Sequence, residues 1–356
     1  MKTIKLLSAL AAVAMMVGCA APDEDYTSKV NPKIGSGGHG HVFVGANAPF
    51  GMTQVGPTSI TQEWDWCSGY HDSENSVIGF SHTHLSGTGC GDLFDVTLMP
   101  VTGEVEYGRG RLGDYSTGFW SEADRTQEVV EPGYYSVPLT RYNILAEMTA
   151  TERGGLHRYT FPASDEAAII LDLVHGGCFD RPEDLFAEAV SDTRVVGRRH
   201  SWGWSNNQKV YFVIEFSKPF DKFEPIGENG FYYRIHFKTE EGEQIGVKVA
   251  LSSTSPAGAE LNFSTEVKDK DFDTVRKETR AKWQNELRKI RIYGATEEQN
   301  EIFYTGMYHM YVAPSLFSDV DGTYRGADNE IHENPGYHTY TTFSLWDTYR
   351  AKLPLM

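Results

Sequence analysis

Between Trp64 and Gly91 the chain reads WDWCSGYHDSENSVIGFSHTHLSGTGCG, a run in which indoles, imidazoles, hydroxyls, carboxylates and glycines stand together without helical or strand periodicity. That mixture suits a surface that binds sugar. Indole faces stack on the apolar C–H faces of pyranose rings, while Asp65, Ser68, His71, His82, Thr83 and His84 supply donors and acceptors that fix hydroxyl orientation. The glycines let backbone approach a ligand closely. Upstream, GSGGHG at 35–40 brings His39 into a second glycine-rich loop; it lacks the GK[ST] of a phosphate loop and opens no periodic helix.

Other motifs carry weaker chemistry. His39/His41 and His82/His84 are H-x-H pairs, which on a strand share one face and in some hydrolases hold zinc, but no third ligand follows at a suitable spacing. Hydrogen-bonding loop histidines are the better reading. In FSDVDGTYRGADNEIHE, the spacing of Asp319, Asp321 and Glu330 invites a calcium-loop reading, which fails because Tyr324 occupies the position needing glycine. A polar turn with solvated carboxylates is expected instead. Glycoside cleavage needs a proton-donating carboxyl and, with inversion, a second one activating water. Asp65, Asp72, Glu74, Asp92 and Asp95 are the nearby carboxyls, and no pair among them is chosen.

These loops need a scaffold. From Glu104 to about Ser253 the pattern alternates with period two, giving candidate strands at Tyr134–Leu139, Ile144–Thr151, Leu156–Phe161, Ala167–Leu173, Val210–Phe216, Phe231–Phe237 and Gln244–Leu251. With no helices between most of them, an antiparallel β-sandwich is expected. After Asp271, FDTVRKETRAKWQNELRKI places Phe272, Val275, Trp283, Leu287 and Ile290 near a 3.6-residue repeat, which predicts an amphipathic helix. A second helix follows Thr296, whose pairing with Gln299 is a capping box ahead of Ile302, Phe303, Met307 and Met310; Pro314 ends it. TFSLWDTYRAKLPL reads as the start of a further helix, with Asp347 near its N-terminus.

The opening MKTIKLLSALAAVAMMVGCA has Lys2 and Lys5, a short apolar run and Gly18-Cys19, a secretory signal ending in a lipobox, so Cys19 is the expected acylation site. Cys67, Cys90 and Cys178 remain; Cys67 and Cys90 could be bridged, and lone buried thiols fit equally well. With 49 acidic against 32 basic residues and a formal charge of −17, nucleic acid and anionic membrane surfaces are poor partners.

The segments VNPKIGSGGHGHVFVGANAPFGMTQVGP, WDWCSGYH, GFSHTHLSGTGCGD and TFSLWDTYRAKLPL, in this order from about Val30 to Met356, resemble glycoside hydrolase family 92, calcium-dependent exo-acting α-mannosidases of bacteria. The resemblance implies a mainly β N-terminal domain, an antiparallel, galactose-mutarotase-like β-sandwich, then a linker helix and the start of an all-α (α/α toroid) catalytic domain. The boundaries are a signal and lipobox at 1–19, a tether at 20–29, the sandwich at 30–265, the linker helix at 266–295 and the first toroid helices at 296–356, with the toroid cut short. It further implies an inverting, α-1,2-type mannosidase acting on mannose-containing glycans such as N-glycans or mannans, exported and lipid-anchored in the bacterial envelope. The general acid, the general base and the calcium ligands are expected beyond Met356, so residues 20–356 alone are expected to be inactive. What remains is the sandwich side of the cleft: Trp64, Asp65, Trp66, His71, His82 and His84, with His39 nearby, while Trp346 and Asp347 are expected to contact the terminal mannose. The alternatives are a non-catalytic glycan-binding surface lipoprotein and a metal-dependent hydrolase built on the H-x-H pairs.

Overall fold

The computed structural model describes residues 24–356 apart from 61, 62, 178, 228, 229, 334, 335, 342 and 347, so Cys19, Cys178 and Asp347 lie outside the described residues. Within them, every strand pairing is antiparallel. One sheet runs, in spatial order, Ala46–Asn47, Gln54–Thr58, Gly79–Ser81, Thr97–Thr102, Ser164–Asp172, Tyr232–Thr239 and Lys222–Ile226. The other runs Arg181–Ala189, Arg194–Trp202, Gln208–Phe216, Glu243–Ser252, Gly154–Phe161, Ile144–Ala150, Tyr134–Leu139 and Val129–Glu131. One apolar cluster joins them: Phe80, Leu98, Ile170 and Ile235 from the first meet Met148, Tyr159, Ile214 and Val247 from the second. Alternation puts these side chains inward at every second residue, which makes the two sheets a sandwich.

Each of the seven expected strands overlaps an observed one, with ends differing by at most three residues. Two long strands carry no such signal. RPEDLFAEA at Arg181–Ala189 forms one border of its sheet, and RVVGRRHSW at Arg194–Trp202 pairs beside it; both are rich in charge because their outer face stays wet.

Three helices follow. The first, α1 (Pro256–Glu266), falls in the stretch assigned by sequence to the sandwich; Ser255 caps it by accepting from the Gly258 N–H, with Pro256 in its first turn. The second, α2 (Phe272–Leu287), is the expected amphipathic helix, capped by Asp271 and burying Val275, Thr279, Trp283 and Leu287, four residues apart. Ile290 lies past its end and is exposed. The third, α3 (Glu297–Met310), begins with both halves of the Thr296–Gln299 capping box. Its buried face is Tyr304, Thr305, Met307 and Tyr308, whereas Ile302, expected inside, is exposed.

Trp283 and Tyr308 fasten the helices to the sheet. The Trp283 indole N–H donates to the Asn47 carbonyl at 2.7 Å and the Tyr308 hydroxyl to Asn47 Oδ1 at 3.2 Å. Asp319 also departs from expectation: it is buried, accepting from Ser252 Oγ at 2.8 Å, Thr254 Oγ1 at 2.5 Å and Asn262 Nδ2 at 2.7 Å. Tertiary packing, which sequence spacing does not show, turns this residue into an anchor. Among the described residues near the C-terminus, Lys352–Leu355 is helical, not the longer helix expected from TFSLWDTYRAKLPL, and Leu345, Trp346 and Tyr349 are exposed.

Candidate functional site

Three loops meet at one end of the sandwich. In the first, at 35–42, the chain turns through Gly35 and Gly38 at positive φ and reaches His41 with φ near +55°, an uncommon conformation for a residue with a side chain. The second contains a short 3-10 turn at Trp64–Trp66, and the third is the glycine-rich stretch 86–91. They are tied together by hydrogen bonds. Ser68 Oγ–H and the Gly87 N–H both donate to the His41 carbonyl, at 2.6 and 2.7 Å, and the Phe43 N–H donates to Ser86 Oγ at 3.0 Å. Phe43 itself lies against Gly45 and Gly56, where an added Cβ would come within 2.5 and 2.7 Å of its ring. Only glycine permits that approach, and the ring in turn joins the helix cluster around Trp283.

On this base stands a polar aromatic corner. His39 Nδ1–H donates to Asp65 Oδ1 at 2.6 Å, and His41 Nε2 lies 3.5 Å from the same oxygen. That hydrogen bond, the largest influence on Asp65, holds its carboxyl below the usual carboxylate range. Trp64 packs beside both imidazoles, with ring centroids 5.4 Å from His39 and 4.2 Å from His41. Its indole N–H donates to the Gly89 carbonyl at 3.0 Å, and a Cβ on Gly89 would meet the ring at 2.9 Å. Trp64 nevertheless remains 50% exposed and the His39 side chain 75% exposed, so one indole face edge and one imidazole are available to a ligand. Trp66 is half-buried and stacks on His71 at 4.3 Å. His71 donates through Nε2 to the Gly38 carbonyl at 3.1 Å and accepts from Ser73 Oγ at 2.7 Å, which makes it a loop tie.

His82 and His84 depart from the expected cleft rim. Both are buried. His82 Nδ1–H donates to the Val96 carbonyl at 2.5 Å; its Nε2 accepts from His157 Nε2–H at 2.9 Å, and His157 Nδ1 accepts from the Tyr159 hydroxyl at 2.8 Å. His84 donates to the Gln54 carbonyl at 2.9 Å and accepts from Ser81 Oγ at 3.0 Å. Desolvation drives their pKa values down, to about 4 for His82 and about 3 for His84, and His157 well below its ordinary value. His82 follows strand Gly79–Ser81 on the face that Phe80 turns toward the second sheet, whereas the His84 ring meets Ser81 on the opposite face and packs beside Phe43 and Phe94, against Gly69.

The neighbouring carboxylates are also occupied. Asp95 pairs with Arg199 at 2.7 Å deep in the fold and accepts from Thr83 Oγ1 and Gln208 Nε2; Asp92 accepts from the Ser205 N–H at 2.7 Å; Glu74 accepts from Ser76 Oγ. Trp346 is 87% exposed. Among the described residues no group of three or more His, Cys, Asp or Glu side chains is arranged to hold a metal ion, so neither H-x-H pair builds one. His41 is the member of the corner that sequence reading used only in the H-x-H pair; its signal was the glycine on each side of His39.

Comparison with known proteins places this geometry. Residues 29–252 match the Glycosyl hydrolase family 92 N-terminal domain and residues 258–356 the Glycosyl hydrolase family 92 catalytic domain. A family GH92 α-mannosidase from Bacteroides thetaiotaomicron, solved with mannoimidazole, is 35% identical with a TM-score of 0.86, over 93% of this chain and 46% of that one. A family GH92 inverting mannosidase from the same organism shares the fold at 23% identity and a TM-score of 0.79, over 94% of this chain and 46% of that one. An "uncharacterized secreted glycosidase" of Arthroderma benhamiae is 23% identical over 92% of this chain and 45% of its own length. The chain thus spans about half the length of the relatives it matches. With both domain matches, the order of its loops and the sandwich that carries them, the chain belongs to glycoside hydrolase family 92.

Proposed function

We propose that this chain is the sandwich side and the opening of the catalytic domain of an exported, exo-acting α-mannosidase, inverting and α-1,2-type, that removes terminal mannose from N-glycans or mannans. The observation that carries the reading is the Trp64 corner: an exposed indole beside an imidazole oriented by a carboxylate, on loops that glycine brings to the surface. In this reading Trp64 stacks on a pyranose ring, His39 hydrogen-bonds a hydroxyl, and Asp65 keeps the His39 Nδ1 proton in place so that Nε2 faces the sugar as an acceptor. Trp66 and His71 support the corner from beneath. Trp346, and Asp347 outside the described residues, are assigned to the terminal mannose.

An inverting site needs two carboxyls about 6.5–9.5 Å apart with water between them. Asp92, Asp95 and Glu74 are committed to structural hydrogen bonds or ion pairs, so we assign the proton-transfer pair to the remainder of a longer protein. The calcium expected for the family finds no fitting ligand set among the described residues, and no step is assigned to it here. Export follows the Lys-rich, apolar start and Cys19, the proposed lipid attachment.

The test is mannose release from α-1,2-mannobiose by the protein expressed from its own gene, with and without a calcium chelator, beside residues 20–356 expressed alone. Release by the gene product that stops on chelation and returns with calcium is expected, with none from 20–356. Turnover by 20–356 would return the catalytic carboxyls to Asp65, Asp72, Asp92 and Asp95, and no release from either protein would reject the mannosidase reading.

A further inference from the structure

The Trp64 corner adjoins a second aromatic surface that its chemistry does not use. At the hairpin tip after Arg194–Trp202, the sequence WGWSNN leaves Trp202 43% and Trp204 59% exposed, and Phe179, just before the partner strand, is 52% exposed. A scattered exposed aromatic is ordinary, but three of them at one hairpin end form an apolar patch.

The patch is built onto the site loops. The Phe179 N–H donates to the Gly91 carbonyl at 2.7 Å, two residues from the Gly89 carbonyl that holds Trp64. Asp92, next along, accepts from the Ser205 N–H at 2.7 Å and so fixes the hairpin tip to the same segment. Gly203 lies where a Cβ would meet Asp92 Oδ1 at 2.1 Å, so Trp202 and Trp204 flank a residue that must be glycine for the tip to seat. One backbone segment, 89–92, therefore carries both the Trp64 contact and the anchors of Phe179 and Trp204.

The surroundings select the occupant. The Arg181 guanidinium lies 5.4 Å from the Trp202 ring, leaving its donors beside an indole face. The adjoining border strand begins Arg-Pro-Glu-Asp; proline removes a backbone donor and the charges disfavour a pairing protein strand. Flat apolar rings flanked by hydrogen-bonding groups fit a neutral pyranose.

We propose that Trp202, Trp204 and Phe179 form a distal glycan platform, continuous with the Trp64 corner, that binds mannose residues of an extended oligosaccharide beyond those held at Trp64. This rests on the glycan-binding reading above. It makes these aromatics determinants of preference for long over short glycans.

The test is binding of methyl α-mannoside and of an α-linked mannotetraose to the chain, followed by saturation-transfer NMR and calorimetry, for wild type, Trp204→Ala, the Trp202→Ala/Trp204→Ala pair and Trp204→Phe. Expected is a loss of roughly 10-fold or more in tetraose affinity for the paired variant, unchanged affinity for the methyl mannoside, near-wild-type tetraose binding for Trp204→Phe, and an unchanged melting temperature. Wild type that binds both sugars, with a paired variant that still binds tetraose normally or loses both sugars equally, overturns the platform alone. A paired variant that melts well below wild type identifies the indoles as a packing surface and also overturns it. Wild type that binds neither sugar removes the glycan-binding reading and the platform with it.

Discussion

In the proposed glycan-binding role, Trp64, His39 and Asp65 divide the work at the corner: the indole supplies area, the imidazole a directed hydrogen bond, and the carboxylate the tautomer. All three side chains are at least partly exposed, so removing them should affect ligand binding more than folding. If the proposed mannosidase activity is measured, Trp64→Ala or His39→Ala is expected to lower kcat/KM for a mannobiose by about 10- to 100-fold, corresponding to about 1–3 kcal/mol of lost transition-state binding. Melting temperature should stay near wild type; variants that melt in proportion to their lost activity would mark the corner as structural. His84 is the contrasting case. His84→Ala removes a buried ring, its hydrogen bond to the Gln54 carbonyl and one of the two hydrogen bonds of the Ser81 hydroxyl, so about 2–4 kcal/mol of stability should be lost in urea titrations. A stable His84→Ala protein would contradict its place in the core.

At the scale of elements, short connections do the anchoring. Asp319 gathers donors from the end of the last strand, from the residues that lead into α1 and from α1 itself, while the Val320 N–H donates to Asn262 Oδ1 at 2.9 Å. The Asp319 carboxylate thereby helps hold the segment after α3 against the sandwich, beside bonds such as Arg153 Nε–H to the Ser318 carbonyl at 2.7 Å. Asp319→Ala removes one acceptor from each of buried Ser252, Thr254 and Asn262 and is expected to cost about 2 kcal/mol. Limited proteolysis should then cut within 319–332 faster than in wild type. Equal cleavage rates and unchanged urea midpoints would show that the anchor is dispensable.

For the whole molecule, the core contains histidines that must stay neutral. His82, His84 and His157 are desolvated in the fold, yet each titrates near pH 6.5 once unfolded. Below pH 6.5 the unfolded chain therefore binds protons that the fold refuses, and stability falls as pH falls. Asp92, Asp180 and Asp319, whose carboxyls burial pushes up, act in the opposite direction at lower pH. The histidine effect is thus read between about pH 6.5 and 5, where His82 and His84 should each remove about 2 kcal/mol. Urea unfolding measured across that interval should show the slope, and His82→Gln should flatten it; a pH-independent midpoint would contradict the buried network.

What the sequence determines here is whatever local chemistry enforces. Period-two alternation located the strands from Tyr134 to Leu251, Asp271 and the Thr296–Gln299 pair marked the starts of α2 and α3, and the ordered blocks from Val30 onward identified the family. The Ser255-Pro256 cap is also a local signal, although α1 itself has little amphipathic contrast. Tertiary structure decided the rest. Aperiodic loops do not disclose which side chains turn outward: within one motif Trp64 faces solvent while His82 points between the sheets to His157 and His84 is buried against Phe43 and Phe94. The charged strands Arg181–Ala189 and Arg194–Trp202 are held by pairing with neighbours distant in sequence rather than by their own pattern. Asp319 became an anchor, and Gly89–Asp92 a hub for two aromatic surfaces, only because folding brought together groups from 25 to 113 residues apart, whose separation hides the hydrogen bonds from any local reading.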